Sequence, residues 1–294
     1  MSDPELTLVQ FSDTHILPEG ELMHGQVDTL ANLEAAIEVV AASGAEVSTL
    51  LLTGDLTDSG SPEAYRRLRA AVEPFARRIG AEVVYAVGNH DHRAAFRAEL
   101  LDGPDGDGTD GGGTGGGEPP VDRVHWAGGL RIVVLDSSVP GRHDGHLDPA
   151  QLDWLAAELS RPAPLGTVLV VHHPPLPSPV PTVHLLRLRD AGRLSAVVAG
   201  SDVRLIVTGH AHHTGSGMLG AIPVWVSPAL AYRVDAMSPR GRLRGIKGAG
   251  FSRIDLIDGS LVTTALPVEQ GPAVYDDERD RMVRFIKDLT PETE

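Results

Sequence analysis

Short aliphatic and β-branched runs recur along the chain at 6–11, 48–52, 82–87, 131–135, 167–171 and 204–208. Their apolar character is nearly continuous rather than alternating, which is the pattern of strands buried on both faces. Helical periodicity fills several of the gaps. Leu30, Leu33, Ile37 and Val40 share one helical face, as do Leu68, Val72, Phe75 and Ile79, with Pro74 expected to kink the second helix. A further helix carries explicit start signals: Asp148 as cap, Pro149 at the first position and Gln151 at capping-box spacing, ahead of an inward stripe of Leu152, Leu155 and Leu159. Strands alternating with helices predict an α/β fold whose sheets are covered by helices. After Gly209 the pattern turns β-rich, at 222–227, 251–257 and 261–266, the last two joined at Asp258-Gly259 as a hairpin.

Polar clusters sit just past the ends of these strands: Asp13-Thr14-His15, Gly54-Asp55, Gly88-Asn89-His90-Asp91, His172-His173 and Gly209-His210-Ala211-His212. Loops at strand ends can converge polar groups over a rigid sheet. Carboxylate, amide and imidazole donors suit Mn, Fe, Zn or Co, and a chain without cysteine offers no thiolate. The chemistry implied is metal-assisted hydrolysis. Taken singly, each residue has a plainer reading: Asp55 and Asn89 as turn residues, His15 as a helix cap, each of the other histidines as a hydrogen-bonded core residue. Their joint occurrence at successive strand ends favours a two-metal site.

The ordered series D-x-H, G-D, G-N-H-D, H and G-H-x-H resembles the calcineurin-like metallophosphoesterase superfamily. Longer stretches, Phe11-Ser12-Asp13-Thr14-His15, Thr53-Gly54-Asp55-Leu56-Thr57-Asp58, Leu135-Asp136-Ser137-Ser138-Val139-Pro140-Gly141 and His172-His173-Pro174-Pro175, are similar to bacterial class III cyclic-nucleotide phosphodiesterases, including the mycobacterial type. The resemblance implies a four-layer αββα sandwich of two facing mixed β-sheets flanked by helices. It also implies two metal ions, iron and manganese in the first place, with zinc, cobalt or magnesium as alternatives. Carried over by motif, Asp13, His15, Asp55 and His212 hold one ion, and Asp55, Asn89, His172 and His210 hold the other, with Asp55 bridging. His172 rather than His173 is taken as ligand because it directly follows its strand. His210 and His212, two residues apart, point to the same side if the segment is extended, leaving His213 turned away.

His90, which follows a ligand without being one, is expected to reach a phosphoryl oxygen or leaving group, oriented by Asp13 or Asp91. Asn89 and His90 together bind the phosphoryl group, and His143 is a candidate contact to substrate phosphate. The implied reaction is opening of a 3′,5′-cyclic nucleotide, cyclic AMP, to the 5′-monophosphate by in-line attack of hydroxide. Glycerophosphodiester hydrolysis or broad phosphoesterase action is the enzymatic alternative, and a metal-retaining interaction scaffold the non-enzymatic one. Purple acid phosphatases carry a Tyr ligand where this chain has Asp58, and protein Ser/Thr phosphatases carry G-D-x-V-D-R-G where it has Gly54-Asp55-Leu56-Thr57-Asp58-Ser59-Gly60.

The net charge of −15 disfavours nucleic acid and anionic membrane as partners and points to a small phosphodiester substrate. The N-terminus lacks a basic segment followed by an apolar one, and no apolar run is long enough to span a bilayer, so a cytoplasmic protein is expected. A homodimer is compatible with the resemblance. Residues 1–268 are read as the metallophosphoesterase domain, interrupted at 101–120 by a Gly/Asp-rich insertion expected to be disordered. Asp105, Asp107 and Asp110 within it lack the loop register of a calcium site. Residues 269–294 form a tail with a short amphipathic helix through Met282, Phe285 and Ile286, expected to pack on its own domain.

Overall fold

A computed structural model of the chain describes residues 4–101 and 118–289. Nearly all of the expected insertion, with Asp105, Asp107 and Asp110, lies outside the described residues.

One sheet is built from β1 (Leu6–Phe11), β2 (Thr49–Thr53), β3 (Glu82–Ala86), β12 (Gly250–Ile257) and β13 (Ser260–Pro267), in the order β13-β12-β1-β2-β3. Strands β1, β2 and β3 run parallel, while β12 is antiparallel to β1 and to β13. The other contains β4 (Arg123–Ala127), β5 (Leu130–Leu135), β6 (Thr167–Val171), β7 (Val203–Thr208), β8 (Gly215–Leu219) and β9 (Ile222–Val226), in the order β4-β5-β6-β7-β9-β8. Its central strands β5, β6, β7 and β9 are parallel and its edges antiparallel. A separate two-stranded arm pairs β10 (Arg233–Val234) with β11 (Gly245–Ile246).

The period-two alternation of each strand sorts its side chains between two cores. In β6, Val168 and Val170 face the other sheet, while Leu169 and Val171 face helices; in β2, Leu51 faces the second sheet and Leu50 and Leu52 face helices. The inner core, with Leu8, Leu51 and Ile254 against Ile132, Val134, Val170 and Val207, lies between the sheets. Outside the first sheet pack α1 (Thr29–Ser43), α2 (Pro62–Ile79) and α3 (Arg93–Leu100); outside the second lie α4 (Pro149–Leu159) and α6 (Ala191–Val198), with α5 (Pro181–Leu185) in the connection before α6. The four-layer αββα sandwich is thus the observed architecture.

Local chemistry explains the boundaries. Asp28 caps α1 by accepting from the Ala31 N–H, and Gly44 ends that helix in the left-handed region. Ser61 and Pro62 open α2, which runs on to Ile79 through Pro74, so the proline does not end it. At α4 the Asp148 N–H donates to Gln151 Oε1 at 2.9 Å, the expected capping-box contact. Asp258 and Gly259 both have positive φ, as a two-residue hairpin requires. The tail helix is α7 (Arg279–Leu289); none of its residues is buried, Met282 is partly covered, and Phe285 and Ile286 are each about half exposed. Among the described residues no helix is long and apolar enough to cross a membrane.

Candidate metal centre

Below the site a polar side chain helps tie the two sheets: Gln10 Nε2 donates to Thr53 Oγ1 at 2.9 Å and to the Thr208 carbonyl at 3.1 Å. Above it, the loops following β1, β2 and β3 meet those following β5, β6 and β7. Asp13 and His15 come from the first, Asp55 from the second, Asn89 and His90 from the third, His143 from the fourth, His172 from the fifth, and His210 and His212 from the last.

Five of these residues have a left-handed backbone: Asp13, His15, Asp55, His210 and His212 have φ of 53, 42, 48, 63 and 51°. Such conformations are disfavoured for residues bearing a Cβ and persist only where neighbours enforce them. Main-chain bonds between loops do so. The Asp13 N–H donates to the Gly54 carbonyl (3.1 Å), that of His15 to the Asp55 carbonyl (2.9 Å), and that of Val234 to the His212 carbonyl (2.7 Å). The loops also approach too closely for side chains at several glycines: a Cβ at Gly54 would collide with the His172 imidazole, and one at Gly88 with the Asp55 main chain and carboxylate. The segment after β7 is therefore not extended. His210 and His212 converge through two left-handed residues, not through strand alternation, and His213 turns away to meet Ser178 Oγ at 2.9 Å.

Asp55 stands at the centre. Its Oδ1 accepts the His90 main-chain N–H at 2.8 Å, while Oδ2 lies 3.3 Å from His172 Nε2 and 3.6 Å from His15 Nε2. One carboxylate oxygen thus faces both halves of the cluster. Asp13, His15 and His212 offer ligand atoms within 4.8 Å of one another, as do Asp13, Asp55 and His172, and likewise His172, His173 and His210. The histidines are fixed from behind. His172 Nδ1 donates to the Thr53 carbonyl (2.8 Å), His212 Nδ1 to the Tyr232 carbonyl (3.1 Å), and His15 Nδ1 meets the Asp58 carboxylate (3.2 Å). A carbonyl can only accept, so the Nδ1 of His172 and of His212 carries a proton and each Nε2 faces inward, free to bind a cation once it is unprotonated.

The electrostatics bear out the free lone pair for His212, whereas His172 must first give up its second proton to an incoming cation. Burial, and then the neighbouring imidazoles, push His210 and His212 down to about 3, keeping both neutral. Burial opposes charge on His172 too, but the Asp55 carboxylate outweighs it and holds this histidine at about 9. Asp55 mirrors this: burial would raise it, yet His172 and His15 hold it well below the ordinary carboxylate value. Buried and lacking hydrogen-bond partners among the described residues, His210 Nε2 and Asn89 Oδ1 complete a donor set of nitrogen and oxygen that fits divalent cations.

His90 is half-buried, and its orienting partner is neither Asp13 nor Asp91. Its Nδ1 donates to the Asp58 carbonyl at 2.8 Å, with the Asp58 carboxylate 3.6 Å away. Asp91 faces the opposite way, accepting from the N–H groups of Leu56, Thr57 and Gly88 and from the Tyr65 hydroxyl, and so clamps the Asp55 loop to the Asn89-His90 loop. His143 is exposed, and its Nδ1 accepts from Asn89 Nδ2 at 3.2 Å. His173 is fully buried and held to Ser137 Oγ at 2.8 Å, yet its ring remains beside His172 and His210. The sequence reading assigns no role in the site to Asp58 or Tyr232. Asp58 lies in the quoted Gly54-Asp55-Leu56-Thr57-Asp58 stretch, whereas Tyr232 follows β9 without any motif around it.

A cavity of about 900 Å3 opens over the cluster. Its inner end is formed by His15, Asp55, Asn89, His90, His210 and His212; its outer walls are largely apolar, from Leu17, Met23, Val27, Val183 and Leu186, with Tyr232 between.

Residues 6–214 match the calcineurin-like phosphoesterase family. A Rhodococcus erythropolis protein named "Probable cyclic nucleotide phosphodiesterase" is 43% identical over 90% of this chain and 84% of its own length. A Mycobacterium tuberculosis cAMP/cGMP dual specificity phosphodiesterase is 40% identical over 92% of this chain and 82% of its own. Among solved structures, a dimetal phosphatase from Danio rerio superposes with a TM-score of 0.64 at 15% identity, covering 91% of this chain and 98% of that one, a likeness of fold.

Proposed function

This chain belongs to the calcineurin-like phosphoesterase family, and on that footing we propose that it is a metal-dependent phosphodiesterase that opens 3′,5′-cyclic nucleotides, cyclic AMP foremost, to 5′-monophosphates. The observation that carries this reading is the convergence of His15, Asp55, Asn89, His210 and His212 at the floor of one cavity large enough for a nucleotide, with Asp13 and His172 buried against them. When bound there, two divalent ions supply Lewis acidity at phosphorus and bring the pKa of water toward about 7. Asp13, His15, Asp55 and His212 would hold one, and Asp55, Asn89, His172 and His210 the other. Iron and manganese are the proposed pair, before zinc, cobalt or magnesium.

The chain's own residues then divide the remaining work. Asn89 Nδ2 and His90 Nε2 bind the phosphoryl oxygens, with His143 holding the Asn89 amide in orientation. Because His90 Nδ1 is committed to the Asp58 carbonyl, Nε2 is the atom that meets substrate and delivers a proton to the departing ribose 3′-oxygen. Water oxygen forms the new bond to phosphorus as the P–O3′ bond breaks, leaving the 5′-ester intact. The apolar walls accept the nucleoside. The protein acts as a soluble cytoplasmic enzyme, as a homodimer in this proposal.

Product analysis decides between substrate classes. Cyclic AMP, a glycerophosphodiester and an aryl phosphate are offered at matched concentration to the manganese-loaded protein. Accumulation of 5′-AMP as the fastest reaction supports the reading; intact cyclic AMP beside rapid glycerophosphodiester turnover replaces it with the glycerophosphodiesterase alternative.

A further inference from the structure

The charge of this molecule is not spread evenly. Residues 233–247 carry five cations, Arg233, Arg240, Arg242, Arg244 and Lys247, against the single carboxylate of Asp235, in a chain whose net charge is −15. All five cationic side chains are exposed. The segment forms the β10–β11 arm, whose strands pair Arg233 with Ile246 and Val234 with Gly245. Its interior is braced: Arg244 Nε donates to Asp235 Oδ2 at 2.9 Å, the Asp235 N–H to the Arg244 carbonyl at 2.8 Å, and Ser238 Oγ to the Arg242 carbonyl at 2.7 Å. That bracing uses Arg244; no salt bridge engages Arg240, Arg242 or Lys247 among the described residues.

The arm's place gives these charges a use. Val234, Leu243, Ile246 and Lys247 line the same cavity as Asp55, His90 and His212. Its root is bonded to the site itself, through the Val234 N–H to the His212 carbonyl and the His212 Nδ1 to the Tyr232 carbonyl. An anion approaching this protein meets an overall negative field, and the inner end of the cavity holds the carboxylates of Asp55 and Asp58. Of the five cations Lys247 lines the cavity, and the others share its short arm; such a cluster would reverse that field locally, within the roughly 8–10 Å over which charges act at moderate ionic strength.

We propose that the β10–β11 arm is the cationic entrance of the site: Arg240 and Arg242 draw the phosphodiester anion to the cavity mouth and Lys247 receives it there. This rests on the phosphodiesterase reading for the identity of the anion, but the steering itself is measurable without hydrolysis. Chain geometry, not general basicity, makes the assignment, since the cations belong to one arm and that arm forms one wall of the cavity.

The test uses the full chain and a variant carrying Arg240→Gln, Arg242→Gln and Lys247→Gln together, each checked for bound metal and melting temperature. Two quantities are followed against salt: the association rate of a fluorescent cyclic-nucleotide analogue, and kcat and KM for bis(p-nitrophenyl) phosphate. At low ionic strength the variant should lose about tenfold in association rate and in kcat/KM, with the loss in KM, and the gap should close to under about twofold near 0.5 M salt. Lys247→Arg alone should keep the wild-type salt slope. Equal association rates and salt slopes in wild type and variant overturn the proposal, as does a loss confined to kcat with lost metal, which would make the arm a prop for His212. Arm-dependent association without hydrolysis of any phosphodiester would refute the proposed function and leave this inference standing; hydrolysis with arm-independent association would do the reverse.

Discussion

His15 Nε2 and His212 Nε2 approach to 3.1 Å, and each ring is held from behind at Nδ1, His15 by the Asp58 carboxylate and His212 by the Tyr232 carbonyl. Two imidazole lone pairs facing one another at that distance repel unless a proton or a cation lies with them. With Asp13 Oδ1 3.5 Å from the same His212 nitrogen, the pair forms one half of a cation site. Loading that site requires neutral imidazoles, and the other half includes His172, which Asp55 holds at about 9 against the effect of burial. Metal binding should therefore release protons, and apparent metal affinity should rise with pH up to that region. Titrating manganese into metal-stripped protein at several pH values, with proton release followed in weak buffer, checks this; affinity independent of pH between about 6 and 9 would contradict it.

His90 groups with His15 and Asp58, not with Asp13 or His172, and its Nδ1 is bonded to the Asp58 carbonyl. His90→Ala should keep near-normal metal content while turnover falls by about two to four powers of ten, the range for removing a positioned proton donor. Metal analysis and kcat on the same preparation check it, and a parallel loss of both would make His90 a structural member of the centre. Asp58→Asn should lower kcat by a smaller factor, since the main-chain carbonyl that orients the ring remains.

Much of this was legible in the chain because the central strands are buried on both faces. Runs such as 167–171 have no polar alternation to confuse with anything else, and their ends mark where the site lies. What the sequence did not reveal has physical causes. β4 (Arg123–Ala127) and β8 (Gly215–Leu219) are edge strands with mixed exposure, so neither shows a continuous apolar run. The pairing of His210 with His212 looked like strand alternation because spacing two is common to both arrangements, and only the positive φ at each residue separates them. The expected partners of His90 are Asp91, its neighbour in the motif, and Asp13, whereas the contact crosses loops to Asp58. Net charge, an average over the whole chain, concealed the basic arm.

Asp122 offers a test far from catalysis. It is buried, its Oδ1 accepts from the Asp136 N–H and from Gln151 Nε2, its Oδ2 lacks a hydrogen-bond partner among the described residues, and burial raises it to about 7. The folded protein therefore keeps a proton that the unfolded chain releases near pH 4, so this group's contribution to stability falls as pH rises from about 4 to 7. The full effect is roughly 4 kcal/mol at most for such a gap. Asp122→Asn retains the accepting oxygen and cannot ionise. Melting temperature against pH should fall less steeply across that window in the variant than in the wild type; parallel curves would show that Asp122 does not titrate there.

Asp55 joins the two halves of the centre, because one of its oxygens lies between His15 and His172 and its other oxygen holds the loop of Asn89 and His90. Bound metal and cyclic AMP turnover should be measured together on freshly purified wild type and Asp55→Ala. The wild type should hold two transition-metal ions per chain and form 5′-AMP, an activity abolished by strong chelator, and the variant should lose both metal and turnover. Wild-type turnover in Asp55→Ala, or full activity in chelator, would contradict it.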